Sequence, residues 1–391
     1  MKTAKLRNFV AAVVAVGACT CAQAQTPIKL GFLAELTGPL AALGRDQLDA
    51  FMMVVERNGG KLGGVPVQVV TEDTQMKPEV ASQAARKLVE KENVPIIVGI
   101  QVSNTMLAIH KYITDKQVFL IGTNAGPSQI AGAQCSPYQF ITSWQGDQAA
   151  EAMGMYAASK GYKKVVALAP NFQAGKDVIA GFKRYYKTPL VNEVYTPVSQ
   201  LDFSAELSEV AQSKPDAVFA FYPGGLGIAF VKQYQQAGLV SKMPLLSTFI
   251  VDAISLPGLK DSALGMITAN FWAPDFQNES SKRFVSEFEK KYNRIPSNYA
   301  AQSYDAALLL DSAISKVKGN VSDKAAFNKA LKAAEFSSVR GAFKFGNNNF
   351  PIQDMSVFEV ANDSAGRTSL KTIATPMKKS ADAYHQLCPM K

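Results

Sequence analysis

The feature that most constrains this chain is a repeated alternation. Short apolar runs are each followed by a stretch whose apolar residues recur at helical spacing. The runs fall at 28–33, 65–70, 94–100, 118–121, 164–169, 217–222, 245–249 and 266–272. Several, such as Val165-Val166-Ala167-Leu168-Ala169, have no polar alternation, the pattern of parallel strands covered on both faces. Between them, Val80, Ala84 and Leu88, with Ala81, Ala85 and Val89, form one helical stripe, and Phe284, Val285, Phe288 and Tyr292 another. Strand–helix–strand order predicts right-handed crossovers onto parallel sheets. Two such series, before and after about residue 142, predict two α/β lobes. The tail breaks the rhythm: helical stretches at 304–317 and 324–335 lead through Gly- and Asn-rich turns to short strands at 355–360 and 369–374. A returning tail allows several crossings between the lobes and hence a cleft that opens and closes.

Composition narrows the function. The chain has 391 residues, enough for two or three domains with cores of their own, so no metal or disulfide is required for stability. Only two histidines occur, His110 within a helical stretch and His385 in the tail. They leave no basis for a His-based triad or a multi-histidine metal centre, so no catalytic residue, metal or cofactor is expected. The formal net charge is +9 without Lys/Arg blocks or interleaved aromatics, so nucleic acid is not an expected partner. Lys2, Lys5 and Arg7, an apolar stretch over 9–18 and Ala22-Gln23-Ala24 read as a cleaved secretory signal at 1–24. Val16-Gly17-Ala18-Cys19 offers the alternative of a lipid on Cys19. Cys135 and Cys388 remain in the mature body, and in an exported chain an even remainder suggests a disulfide, with two buried thiols as the alternative.

Open α/β sheets bind ligands at the carboxyl ends of their strands. In the first series those loops hold Leu43 within 35–44, then Gln101, Ser103 and Asn104, then Thr123, Asn124 and Ala125. Ser103 opens a helix whose free N–H groups favour a carboxylate, although capping alone would also account for it. In the second series they hold Phe172, Tyr222, Gly224 and Phe249. These aromatic residues are candidates for a pocket wall or for ordinary core. Gly225-Leu226-Gly227 follows a strand, but Phe230 stands where a dinucleotide site needs its third glycine.

Thr37-Gly38-Pro39 with Gly44, the Ser103 loop, Tyr304-Asp305-Ala306-Ala307 after Pro296, and Gly341-Ala342-Phe343-Lys344-Phe345 carry a family resemblance in their order and spacing. The chain resembles the type I periplasmic substrate-binding proteins of ABC transporters, in the leucine/isoleucine/valine-binding branch. The resemblance implies an α/β fold of two doubly wound lobes joined by three hinge crossings near 141–143, 270–273 and 346–350. It implies lobe 1 at 25–141 plus 273–347, and lobe 2 at 142–272 plus 348–391. It further implies a periplasmic monomer that performs no chemistry, traps a ligand between its lobes and delivers it to permease subunits. Ser103 falls on the family's carboxylate-binding serine, and Phe249 on the acidic residue that holds an amino acid's ammonium group. A buried ammonium without its counter-charge costs about 3–5 kcal/mol. Asp252, three positions on, is an alternative partner for it. Gly175-Lys176-Asp177, Tyr222-Pro223-Gly224-Gly225 and Asn347-Asn348-Asn349-Phe350-Pro351 resemble a subgroup that binds aromatic carboxylates. The ligand expected is therefore a benzoate- or cinnamate-like acid, with a branched-chain amino acid or amide, or a sensing domain for a membrane receptor, as alternatives.

Overall fold

The computed structural model describes residues 26–390. The expected leader and Cys19 lie outside the described residues. The first series comprises β1 (Ile28–Ala34), α1 (Ala41–Arg57), β2 (Lys61–Leu62), β3 (Val65–Asp73), α2 (Pro78–Arg86), β4 (Ile96–Gly99), α3 (Ser103–Asp115), β5 (Phe119–Gly122), α4 (Ser128–Ala131) and β6 (Gln139–Ile141). The second comprises α5 (Gln148–Ser159), β7 (Val165–Pro170), α6 (Gln173–Tyr185), β8 (Asn192–Thr196), α7 (Ser204–Ser213), β9 (Ala217–Ala220), α8 (Gly225–Gln236), β10 (Leu245–Thr248), α9 (Leu256–Leu259) and β11 (Ile267–Asn270). The chain then continues through α10 (Glu279–Tyr292), α11 (Asn298–Lys316), α12 (Lys324–Ala333), β12 (Lys344–Phe345), β13 (Pro351–Asn362) and β14 (Thr368–Ser380).

Two sheets result. The first has the order β2-β3-β1-β4-β5-β6 and is parallel except for the β2–β3 hairpin. The second runs β12-β13-β11-β10-β9-β7-β8, with β14 paired to β13. Its strands from β7 to β11 are parallel, and β13 and β14 join antiparallel. The central strands are buried along their whole length, as at β7 and β9, which is why their sequences show no alternation.

Helices α10 and α11 return to the first sheet and close its core. Arg57 donates to the Tyr304 hydroxyl at 2.7 Å, and Asp311 accepts from Asn58 and from the Gly63 N–H at 3.0 and 2.8 Å. Gly63 has φ +59°, and a Cβ there would lie 2.3 Å from the Ser315 nitrogen. Only glycine lets the hairpin approach α11 so closely.

Three segments cross between the units, at 142–147, 271–278 and 334–350, giving the two-lobe fold. The tail turns back after β14. Cys388 is disulfide-bonded to Cys135, with Cα atoms 5.6 Å apart. Asn347 donates to the His385 carbonyl at 2.9 Å and Asn348 to Asp382 at 2.8 Å. Thus β13 and β14 belong to the second sheet, while residues 381–390 lie against the end of the first unit.

Candidate functional site

The carboxyl ends of both parallel sheets face each other, and the helices that follow their strands open onto the gap. Among the described residues, three helices carry a side-chain N-cap, from Asn278, Ser297 and Asp323. The helices beginning at the gap, α1, α3, α6 and α8, have none. The first N–H of α1, α6 and α8 is taken by Gly38, Asn104 and Pro39 in turn, whereas those of α3 are available to something other than the chain itself.

A small pocket lies where these ends converge, lined by Leu43, Gln101, Ser103, Asn124, Ala125, Gly126, Trp144, Phe172, Phe221, Phe249 and Tyr299, among others. No lining residue is charged. Phe249, in the loop after β10, adopts φ +55°, the left-handed region, and is almost fully buried. A bulky residue there stores strain; the surrounding packing holds its ring 4.4 Å from the Trp144 indole, stacked at 21°. The free volume is about 40 Å³, because the aromatic walls fill most of the space between themselves.

Behind Ser103 lies a buried polar network. Gln101 accepts from the Glu35 N–H at 2.9 Å, and Glu35 accepts from the Gln101 N–H at 3.1 Å and from Thr74 at 2.8 Å. Gln101 also donates to Gln47, which donates to the Thr123 carbonyl at 2.9 Å. Burial pushes the Glu35 carboxyl up from its ordinary value, against the opposing hydrogen bonds. The network fixes the backbone that leads into α3.

The lobes touch directly around the pocket. Asn104 accepts from the Gln173 N–H at 3.3 Å, and the Pro39 carbonyl accepts from the Gly225 N–H at 3.4 Å. Ser128 donates its hydroxyl and its N–H to Asp177 at 3.0 and 3.3 Å. Burial first, and the Asp147 carboxylate second, push Asp177 up to about 6.

Of the residues singled out from sequence, Leu43, Gln101, Ser103, Asn124, Ala125, Phe172 and Phe249 line the pocket together. Four others do not. Asn104 sits at the exposed rim, and Gly224 packs against Leu43 and Pro39 beside the pocket. Thr123 is fully buried behind it, its hydroxyl on Gln47 at 3.2 Å. Tyr222 lies in the second lobe's core, its ring 4.8 Å from Phe203 and its hydroxyl paired with Thr196. Phe221 takes the wall position instead, because adjacent residues at a strand end point to opposite sides. Trp144 and Tyr299 were not anticipated; the signal for Trp144 is an aromatic residue two positions into the first crossing.

A larger groove of about 1340 Å³ lies between α1, α10 and the start of β14. It is open to solvent, and Arg294 pairs there with Asp46 and Asp49 and Arg367 with Glu289. The smaller pocket is the one to which the strand ends lead.

The profile of the periplasmic binding protein family matches residues 27–366. The chain belongs to that family. This periplasmic binding protein is 28% identical over 362 residues to Leu/Ile/Val-binding protein homolog 6 of Brucella melitensis, covering 89% of this chain and 91% of that one. Its fold superposes with a TM-score of 0.88 on an ABC-transporter solute-binding protein from R. palustris in complex with benzoate, 29% identical, over 93% of this chain and all of that one. A second, from Rhodopseudomonas palustris BisB5 in complex with 3,4-dihydroxybenzoic acid, gives 0.84 at 27% identity, over 91% and 99%. The protein is thus an ABC-transporter solute-binding protein, which takes up a small molecule and hands it to a permease rather than transforming it. No helix among the described residues is long and apolar enough to cross a membrane.

Proposed function

We propose that the ligand is an aromatic monocarboxylate, held between the lobes and delivered to its permease from the periplasm. The observation that carries this reading is a pocket with aromatic walls, an uncapped helix N-terminus at Ser103 and no charged lining residue. An anion is stabilised at such a terminus by the free N–H groups and the helix dipole. Burying roughly 150 Å² of ring surface contributes about 4 kcal/mol before association costs. An α-amino acid would bring its ammonium into a pocket with no lining carboxylate. Asp252, the other acid in reach by sequence, is buried outside the lining, with Oδ1 taken by the Ile254 and Ser255 N–H groups. The solved neighbours that hold benzoate and 3,4-dihydroxybenzoic acid support the same class.

The rings occupy most of the pocket in this closed arrangement, so a six-membered ring enters only as the lobes part and the aromatic walls spread. The proposal includes a monomer, the leader at 1–24, and lobes at 25–141 plus 273–347 and 142–272 plus 348–380, hinged at the three crossings; the expected extension of lobe 2 to 391 is corrected by the tail, whose residues 381–390 return to lobe 1. A thermal-shift screen with benzoates, cinnamates, branched-chain amino acids and their amides tests it, because a ligand that binds the native state raises Tm. Stabilisation by aromatic acids alone supports the reading; stabilisation by leucine alone overturns it.

A further inference from the structure

Arg340 lies on the third crossing and touches the other two. Its side chain is nearly inaccessible, as is that of Asp305, with which it pairs at 3.0 Å. Four of its five guanidinium donors make hydrogen bonds. Nε donates to Asp305 at 3.0 Å, Nη1 to the Ser143 carbonyl at 3.0 Å and to Gln353 at 2.8 Å, and Nη2 to the Thr142 carbonyl, with Nη2 also 3.0 Å from the Asp305 carboxylate as an ion pair. Gln353 reinforces the grip by donating to the same Ser143 carbonyl at 2.9 Å. The guanidinium also lies 5.0 Å from the Phe271 ring centre, on the second crossing.

From there a column of stacked groups leads to the pocket. Phe271 stacks on Trp144 with centroids 5.5 Å apart at 26°, and Trp144 stacks on Phe249. Trp144 immediately follows the two carbonyls that Arg340 holds. Its ring lines the pocket; on the β5 side the segment is held by the Thr142 N–H on the Gly122 carbonyl at 2.9 Å and the Ser143 hydroxyl on the Asn124 carbonyl at 2.9 Å, and Arg340 takes the Thr142 and Ser143 carbonyls.

We propose that Arg340 is a positioning residue for ligand binding: by gripping the Thr142 and Ser143 carbonyls and backing Phe271, it sets the Trp144 indole as one wall of the pocket. The inference rests on the reading of that wall as a surface for an aromatic acid. It explains why an arginine is buried where three crossings meet: a fork of five planar donors can hold two adjacent carbonyls and a carboxylate together, and a lysine cannot. A buried ion pair is by itself weak evidence of stabilisation, since desolvation offsets its attraction. What the pair contributes is geometry.

Two variants test this. Arg340→Lys keeps the charge opposite Asp305 and loses the fork, while Gln353→Met leaves the ion pair intact and removes the second hold on Ser143 together with one acceptor of Arg340 Nη1. Without ligand, near-ultraviolet circular dichroism and acrylamide quenching read Trp144. The signal is assigned by its loss in Trp144→Phe, since Trp272 is fully buried and bonded to Ser281 at 3.0 Å. Titration with benzoate then reads affinity. We expect at least a twofold rise in Trp144 quenching in both variants, with benzoate binding at least tenfold weaker in Arg340→Lys and about threefold weaker in Gln353→Met. A folded variant with a lower Tm but an unchanged Trp144 signal and affinity within twofold of wild type would show a merely structural role and overturn the proposal. Should Arg340→Lys not fold, Gln353→Met decides by the same criteria. If wild type ignores benzoate, the ligand reading fails, and the ligand-free arm still decides the role of Arg340.

Discussion

At the residue scale the account rests on Ser103, whose position as first residue of an uncapped α3 gives it both a hydroxyl and free N–H neighbours to offer an anion. Ser103→Ala removes one hydrogen bond to a charged group, worth about 1.5–3 kcal/mol. Affinity for an aromatic acid should fall at least tenfold by calorimetry while the ligand-free Tm barely moves. Gly126 supplies a steric counterpart. A Cβ there would lie 2.0 Å from the Trp144 carbonyl, so Gly126→Ala should displace the first crossing and lower both Tm and affinity. The candidate site was legible where chemistry and position coincide, as at Ser103, Asn124 and Phe249. It was not legible where parity decides: Phe221 and Tyr222 are both aromatic at one strand end, and only the strand's rotation selects which faces the cleft. Thr123 has the right chemistry and spends it on Gln47. Trp144 was hidden because it lies on a crossing rather than in a loop after a strand of the second series.

At the scale of elements, the closed state is held by the start of α6 against α3 and α4, through Gln173 on Asn104 and Asp177 on Ser128. Asp177 is raised from 3.8 to about 6, by burial first and by Asp147 second, against hydrogen bonds from Gln173 and Ser128 that lower it. A carboxyl with a raised pKa binds more protons in the buried state than when exposed. Its burial is therefore favoured at low pH, and that favour is lost as pH rises from about 4 to about 6. Where opening exposes Asp177, affinity should strengthen as pH falls from 7 to 5.5, and Asp177→Asn should flatten that dependence in binding titrations. The elements themselves were largely readable, since unalternated apolar runs marked β4, β5, β7 and β9. The strands β6 and β8 were missed because Gln139-Phe140-Ile141 is short and Asn192–Thr196 is a half-exposed edge without an apolar run. The tail strands extend to 12 and 13 residues, well beyond the short ones expected, because pairing with each other and with β11 extends a weak local preference.

At the scale of the whole molecule, two lobes joined by three crossings make binding a closure, and the tail is tied down independently of it. The Cys135–Cys388 bond spans 253 residues of sequence, so chain-entropy arguments allow about 5 kcal/mol at most, reduced by native strain. Replacing both cysteines by serine should lower Tm by several degrees, roughly 4–8 °C, and leave ligand selectivity unchanged, since neither cysteine lines the pocket. Binding as closure requires the free protein in solution to be more open than this closed arrangement, so small-angle scattering should show a smaller radius of gyration on adding ligand, and an unchanged profile at saturation would contradict hinged closure. The two parallel sheets were readable because right-handed crossovers follow from the alternation; the strand order within each sheet does not, and the return of 381–390 to the first unit depends on one covalent bond and a few side-chain contacts. The central claim is the class of ligand, and calorimetric titration of the purified protein with benzoate, 4-hydroxybenzoate, 4-coumarate and leucine side by side tests it most directly. The account predicts micromolar binding of at least one aromatic acid and no heat from leucine; tight leucine binding with no response to any aromatic acid would contradict it.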